Sequence, residues 1–221
     1  MTAAHCAVDL YKADFENYPF LVRIGGKENI VDWAVAPEQV GSVRVIRDPF
    51  GKLKKVKVKV RDESYDIALL RLKDGVKQVS PISLYQNEDE VGKPVLLLGW
   101  GDFGTGDRGL PKFQVVNDGK FRLAENKITG ANGNYLTFQF DGSNSQDVLP
   151  LEGVNGPGDS GSPALVHTEN GMQLIGVSSR GRYGSIIRTV VGRQGCYGWQ
   201  EYYIRVSKMC NWINQVINES S

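Results

Sequence analysis

Gly156-Pro157-Gly158-Asp159-Ser160-Gly161-Ser162-Pro163 packs three glycines and two prolines into eight residues, with an acid and two hydroxyls. Proline removes a backbone donor, and glycine gives up the most conformational freedom on ordering. The stretch is therefore neither a regular helix nor the interior of a central strand. It reads as a tight turn shaped by its backbone, and the β-type run Ala164-Leu165-Val166 follows directly. Gly158 and Gly161 leave backbone N–H groups open to an approaching ligand. A serine at the apex of such a turn is placed to attack one. A plain surface loop containing Ser-Gly is the other reading of the same residues.

Working outward, the 221 residues are 41% hydrophobic and 23% charged, enough for a real core in one or two small domains. The net charge of +1 implies no general pull toward nucleic acid or a membrane surface. No run approaches the roughly 18 apolar residues of a membrane span. Glycine is abundant, at 26 residues, and Val, Ile, Tyr and Phe are frequent, which favours many short strands joined by turns. Three cysteines is an odd number, so at least one is expected to lack an intrachain partner.

The strand candidates are Phe20–Ile24 (closed by Gly25-Gly26), Val31–Val35 and Val40–Ile46. Lys55–Arg61 alternates valine with cation and reads as a half-buried antiparallel strand. Its cationic face offers a polyanion site, or is a solvated face whose lysines guard an edge. Tyr65–Leu72 is apolar on both faces and reads as a deeply buried strand with Asp66 at its mouth, where a carboxylate needs a partner. After a polar connector, Pro94–Gly101, Phe113–Val116, Lys120–Leu123 and Asn134–Phe140 read as a second set of strands. Ala164–Val166 and Gln173–Val177 make a hairpin across Glu169-Asn170-Gly171, and Gln200–Val206 is the last strand. Ser207 is then expected to cap a helix that places Cys210, Trp212, Ile213, Val216 and Ile217 on one face. The architecture expected is two β-barrels or sandwiches and a C-terminal helix.

A serine hydroxyl needs a base before it is a useful nucleophile. The chain has two histidines. His167 leaves Ser160 along an extended strand that carries it roughly 20 Å away. His5 is remote in sequence and so can be near in space, and Asp66 is the buried acid that could orient it. His5, Asp66 and Ser160 follow one of the known orders of a hydrolytic triad. Thr2-Ala3-Ala4-His5-Cys6, Asp66-Ile67-Ala68-Leu69-Leu70, Gly99-Trp100-Gly101 and Gly158-Asp159-Ser160-Gly161-x-Pro163 occur in that sequence. They are followed by Tyr203-x-Arg205-Val206-Ser207 and by Trp212-Ile213. Together these resemble the chymotrypsin/trypsin-like serine endopeptidases over nearly the whole chain.

The resemblance implies an all-β fold of two antiparallel six-stranded β-barrels with a C-terminal helix, the first barrel incomplete at its N-terminus. Residues 1–85 would be the first barrel, with His5 and Asp66. Residues 86–221 would be the second, with Ser160 and a helix over 207–218. His5 is then the general base and acid, Asp66 orients it, Ser160 forms the acyl-enzyme, and the N–H groups of Gly158 and Ser160 make the oxyanion hole. For substrate binding it implies Val154, Ser179, Gly181 and Glu201. Val154 stands where the trypsin branch has its pocket acid, and Arg180 where the family usually has an aromatic. Glu201 falls where a small pocket residue is usual, so that Glu201 and Glu152 together suggest a preference for Arg or Lys at the cleavage point. The alternative is an inactive or zymogen-like homologue acting as a binding protein.

Three departures accompany the resemblance. The chain begins just before the histidine motif, so the first barrel is expected to lack strands and Asp159 to lack the activating N-terminal amine. Cys6 is expected to lack its family partner, while Cys196 and Cys210 either bridge or remain two buried thiols. Gly156 replaces a disulfide cysteine, and Ser162 replaces a glycine. The partners implied are protein or peptide substrates and protein inhibitors. Neither nucleic acid nor membrane is expected, no cofactor or metal is needed, and the protein is expected to be a secreted monomer.

Overall fold

A computed structural model describes residues 1–7, 21–47, 53–60, 62–77, 79–111, 114–183 and 194–219. The chain divides into two units, Met1–Pro81 and Ile82–Ser221.

In the first unit, β1 (Leu21–Ile24) and β2 (Lys27–Val35) form an antiparallel hairpin. Its two-residue turn, Gly25-Gly26, has φ of 57° and 79°. Only glycine adopts two such values in succession at little cost, and the turn's twist matches that of the strands. β2 therefore starts earlier than the expected Val31, at the turn itself. β3 (Gly41–Arg47) and β4 (Leu53–Val60) form a separate antiparallel pair, with Val43 opposite Val58 and Val45 opposite Val56. The lysine-rich segment is thus an antiparallel strand; Arg61 and the facing of its lysines and valines lie outside the described residues, as does Phe20.

The expected strand Tyr65–Leu72 is shorter. The continuous strand is β5 (Leu69–Leu72), paired with β2, and Ala68 before it makes a single antiparallel bridge to Thr2. Upstream, the Asp62 side chain accepts from the Ser64 N–H at 2.9 Å and starts a 3-10 turn over Glu63–Tyr65. This local bond gives the backbone an alternative to the ladder that the apolar pattern does not reveal.

The second unit contains β6 (Ser83–Leu84), β7 (Pro94–Gly99), β8 (Arg122–Asn132), β9 (Tyr135–Gln139), β10 (Pro163–Thr168), β11 (Gly171–Tyr183) and β12 (Trp199–Arg205). The strands β7-β8-β9-β12-β11-β10 pair antiparallel in that order, and β10 returns to β7. A closed antiparallel barrel of six strands results, with β6 added in parallel along β11. Closure leaves no unpaired edge within the ring. Leu97, Ile128, Leu136, Phe138, Ile175 and Tyr203 fill it, and Phe138 meets Tyr203 edge to face at 4.9 Å. The fold is mostly β, with a six-stranded barrel, a second set of sheets and a C-terminal helix.

Two expectations in this unit change. Gln114–Val116 is irregular and Val115 is 83% exposed, so no strand forms there; Phe113 lies outside the described residues. Lys120–Leu123 is only the start of β8, which continues to Asn132. Its polar run Glu125-Asn126-Lys127 hides the strand. Asn126 is nevertheless buried, its amide donating to Gln139 O, Gly153 O and Glu152 Oε1.

A single helical turn, α1 (Ala4–Ala7), opens the chain, and α2 (Val206–Glu219) closes it. Val206, Met209, Cys210 and Ile213 are the buried stripe of α2, whereas Ile217 is exposed. Ser207 is inside the helix and does not cap it. Its hydroxyl donates instead to Glu90 Oε1 at 2.6 Å, where Glu90 also accepts both Nε and Nη2 of buried Arg205 at 2.7 Å. Burial opposes the Glu90 charge, but these donors hold its pKa below the ordinary carboxylate value. None of the three cysteines is in a disulfide, and Cys196 and Cys210 are buried thiols.

Candidate active site

In the first unit the histidine and aspartate motifs zip together through the main chain. Thr2 N donates to Ala68 O at 2.9 Å, and Ala68 N returns to Thr2 O at 2.8 Å. Ala3, Ala4, Ala7 and Ala68 are all buried beside this bridge, and such close approach of α1 suits only small side chains. The bridge brings Asp66 beneath the start of α1. Its Oδ1 accepts the His5 backbone N–H at 2.8 Å, one of the donors that a helix start leaves unpaired. Its Oδ2 accepts from His5 Nδ1 at 2.7 Å. The ring is therefore assigned its Nδ1–H tautomer, leaving Nε2 as the basic nitrogen. The imidazole is 47% exposed. The Asp66 hydrogen bond, aided by the Cys6 side chain against the ring, pushes its pKa from 6.5 up to about 10.

In the second unit Ser160 is exposed on its turn. The turn is stitched to β11, since Gly161 N donates to Ser178 O at 2.8 Å and Ser178 N donates to Ser162 O at 2.9 Å. Gly158 sits at φ 95° and Gly161 at 81°, conformations that demand glycine. Ser162, in place of a glycine, accepts a hydrogen bond from buried Asn155 at 2.7 Å.

Asp159, expected to want a partner, has two. Gly101 N–H donates to its Oδ1 at 2.6 Å and Gly156 N–H to its Oδ2 at 3.0 Å. This accounts for the Gly99-Trp100-Gly101 motif. A Cβ on Gly99 would fall 1.9 Å from Asp159 Oδ1, and one on Gly101 would fall 2.5 Å from its Cγ. Gly156 is equally constrained, since a Cβ there would meet Asp102 O at 1.9 Å.

The expected substrate-binding residues fall in two places. Gly181 in β11 is the register partner of Glu201 in β12, and Ser179 lies at the β11 bulge between Ser178 and Arg180. Glu201 is 3% exposed, and burial raises its pKa to about 8. Val154 instead lines a cavity of about 340 Å³ beside Asp159, Gly101 and Arg122, whose lining includes neither Gly181 nor Glu201. Glu152 is occupied by its own loop, accepting from Leu149 N, Asp141 N and Asn126 Nδ2. His167 is exposed near the end of β10, opposite Met172.

One residue of this region escapes the sequence reading. Trp199 is buried, and its Nε1 donates to Glu201 Oε1 at 2.6 Å. The period of two along β12, which aligns Trp199, Glu201 and Tyr203, was the signal available for it.

Among the described residues no helix is long and apolar enough to cross a membrane. No curated protein matches the sequence. Among solved structures, neuropsin, a serine protease expressed in the limbic system of mouse brain, aligns over 98% of this chain and 83% of its own at 20% identity. The TM-score is 0.63, a likeness of fold. The model of the trypsin family matches residues 1–213, the span that holds both the histidine–aspartate pair and the serine turn. The chain belongs to the trypsin family of serine proteases.

Proposed function

We propose that the protein is a serine endopeptidase that cleaves peptide bonds through an acyl-enzyme on Ser160. In this reading His5 Nε2 takes the Ser160 Oγ proton as Oγ bonds to the scissile carbonyl carbon. The proton then passes to the leaving nitrogen as the C–N bond breaks. Water repeats the sequence to free the acid and restore Ser160. Asp66 holds the imidazole tautomer and stabilises the imidazolium. The N–H groups of Gly158 and Ser160 receive the carbonyl oxygen as it gains charge, each such donor contributing about 3 kcal/mol. The observation that carries the reading is the His5–Asp66 pair, at 2.8 and 2.7 Å, which leaves Nε2 as the basic nitrogen.

Glu201 supports a preference for Arg or Lys at the cleavage point. With Val154 apolar and Glu152 committed to its loop, Glu201 carries that preference alone. Substrate backbone would run along Ser179–Gly181. The family suggests extracellular action by a monomer on protein substrates, with protein inhibitors as further partners.

A fluorophosphonate probe should label Ser160 in the wild type and not in Ser160→Ala. A folded chain that stays unlabelled would instead be a binding homologue. Peptide substrates carrying Arg, Phe or Ala test the preference: kcat/KM is expected to be highest for Arg, and a Phe preference would reject Glu201 as the selecting acid.

A further inference from the structure

β12 turns Trp199, Glu201 and Tyr203 to one face, because residues two apart on a strand share a side, and all three are buried. Two polar groups on that face are poorly satisfied. The Glu201 carboxyl group receives one hydrogen bond among the described residues, from Trp199 Nε1, although its two oxygens have room for more. The Tyr203 hydroxyl is fully buried and, among the described residues, has no hydrogen-bond partner of good geometry. Buried polar groups left this way are costly and point to a role other than packing. An acid and a hydroxyl together suit a group rich in donors.

The indole stands where that group would come. A Cβ placed on Gly181, the register partner of Glu201, would lie 2.2 Å from Trp199 Nε1 and 2.6 Å from its Cε2. The ring thus lies directly in front of the strand segment assigned above to the substrate backbone.

We propose that Trp199 is a movable stopper and the specificity-determining residue of this pocket: its indole holds the place of a substrate guanidinium or ammonium group and must leave Glu201 before that group can bind. The proposal rests on Glu201 being the acid that selects the cation. Arg brings five N–H donors and Lys three, against the single N–H of the indole. Removing the indole therefore uncovers cation binding and does not destroy it.

Benzamidine, an unreactive amidinium, tests this by titration calorimetry on the whole chain. Trp199→Ala is expected to bind it at least about tenfold more tightly than the wild type, the gain that one additional charge-assisted hydrogen bond brings. The further change Glu201→Gln is expected to abolish the gain. Equal affinity of Trp199→Ala and wild type, or a gain that survives Glu201→Gln, overturns the proposal. If Trp199→Ala does not fold, Trp199→Phe is read in its place, since it keeps much of the bulk and loses the N–H. About threefold tighter binding supports the stopper, and unchanged affinity overturns it. Fluorophosphonate labelling of the wild type separates the two readings. A labelled chain without the benzamidine gain sinks the stopper alone. An unlabelled chain with the gain sinks the peptidase assignment and leaves the stopper standing.

Discussion

His5 changes the pH behaviour that its residue type suggests. An ordinary imidazole would lose its basic form below about 6.5. Here the Asp66 hydrogen bond favours the charged ring up to about pH 10. A general base must be neutral, so kcat/KM is expected to rise from neutral pH toward about 10; a profile already flat above pH 6.5 would contradict this. Asp66→Asn should move the rise back toward 6.5 and lower kcat about 10⁴-fold, as loss of the orienting acid does elsewhere. Stability runs the other way. The folded pKa lies above the unfolded one, so the pair's contribution is fully present below pH 6.5 and is lost as pH rises through about 10. Urea midpoints across that window should fall in the wild type and not in Asp66→Asn. The identities of His5 and Asp66 were legible in the sequence because short motifs mark them. The effect of one on the other was not, because it depends on a 2.7 Å contact between residues 61 apart.

At the scale of elements, the Ser160 turn is held by a carboxylate in a glycine cradle. Gly99→Ala would drive a methyl to 1.9 Å from Asp159 Oδ1. The expected cost is about 1–3 kcal/mol, as for other overpacked sites. It is measurable by denaturant titration, and fluorophosphonate labelling should slow with it. An unchanged stability would mean that the cradle is not as tight as described. The end of β12 and the start of α2 are tied by Glu90 to Arg205 and Ser207. Glu90→Ala removes the buried partner of the Arg205 guanidinium, which keeps Glu88 O at 3.2 Å and Glu88 Oε2 at 3.5 Å, and should cost about 3 kcal/mol by the same titration. Glycines that turn the chain locally were readable, as at Gly25-Gly26 and in the serine turn. Gly99 and Gly101 were readable only as a motif, since the group that excludes a side chain there is Asp159, far along the chain. β8 escaped for a related reason. Its polar middle is buried only because Gln139, Glu152 and Gly153 supply partners for Asn126.

For the molecule as a whole, stability comes without covalent cross-links. Iodoacetamide added to the denatured, unreduced chain is expected to modify all three cysteines, read by intact mass, and dithiothreitol should leave the melting temperature unchanged. Modification of only one cysteine would mean that Cys196 and Cys210 are bridged. The strand-rich class, the tight turn at Ser160, the hairpin at Glu169-Asn170 and the order of His5, Asp66 and Ser160 were decided by the linear chain. Glycine and proline limits and a side-chain period of two act between near neighbours. The closed circuit of six strands, the amides that hold Asp159 and the indole on Glu201 were decided by folding. Each depends on which strand lies beside which and on which face a side chain turns to. Those relations join residues such as Gly101 and Asp159, 58 apart in sequence, and appear only once the barrel is shut.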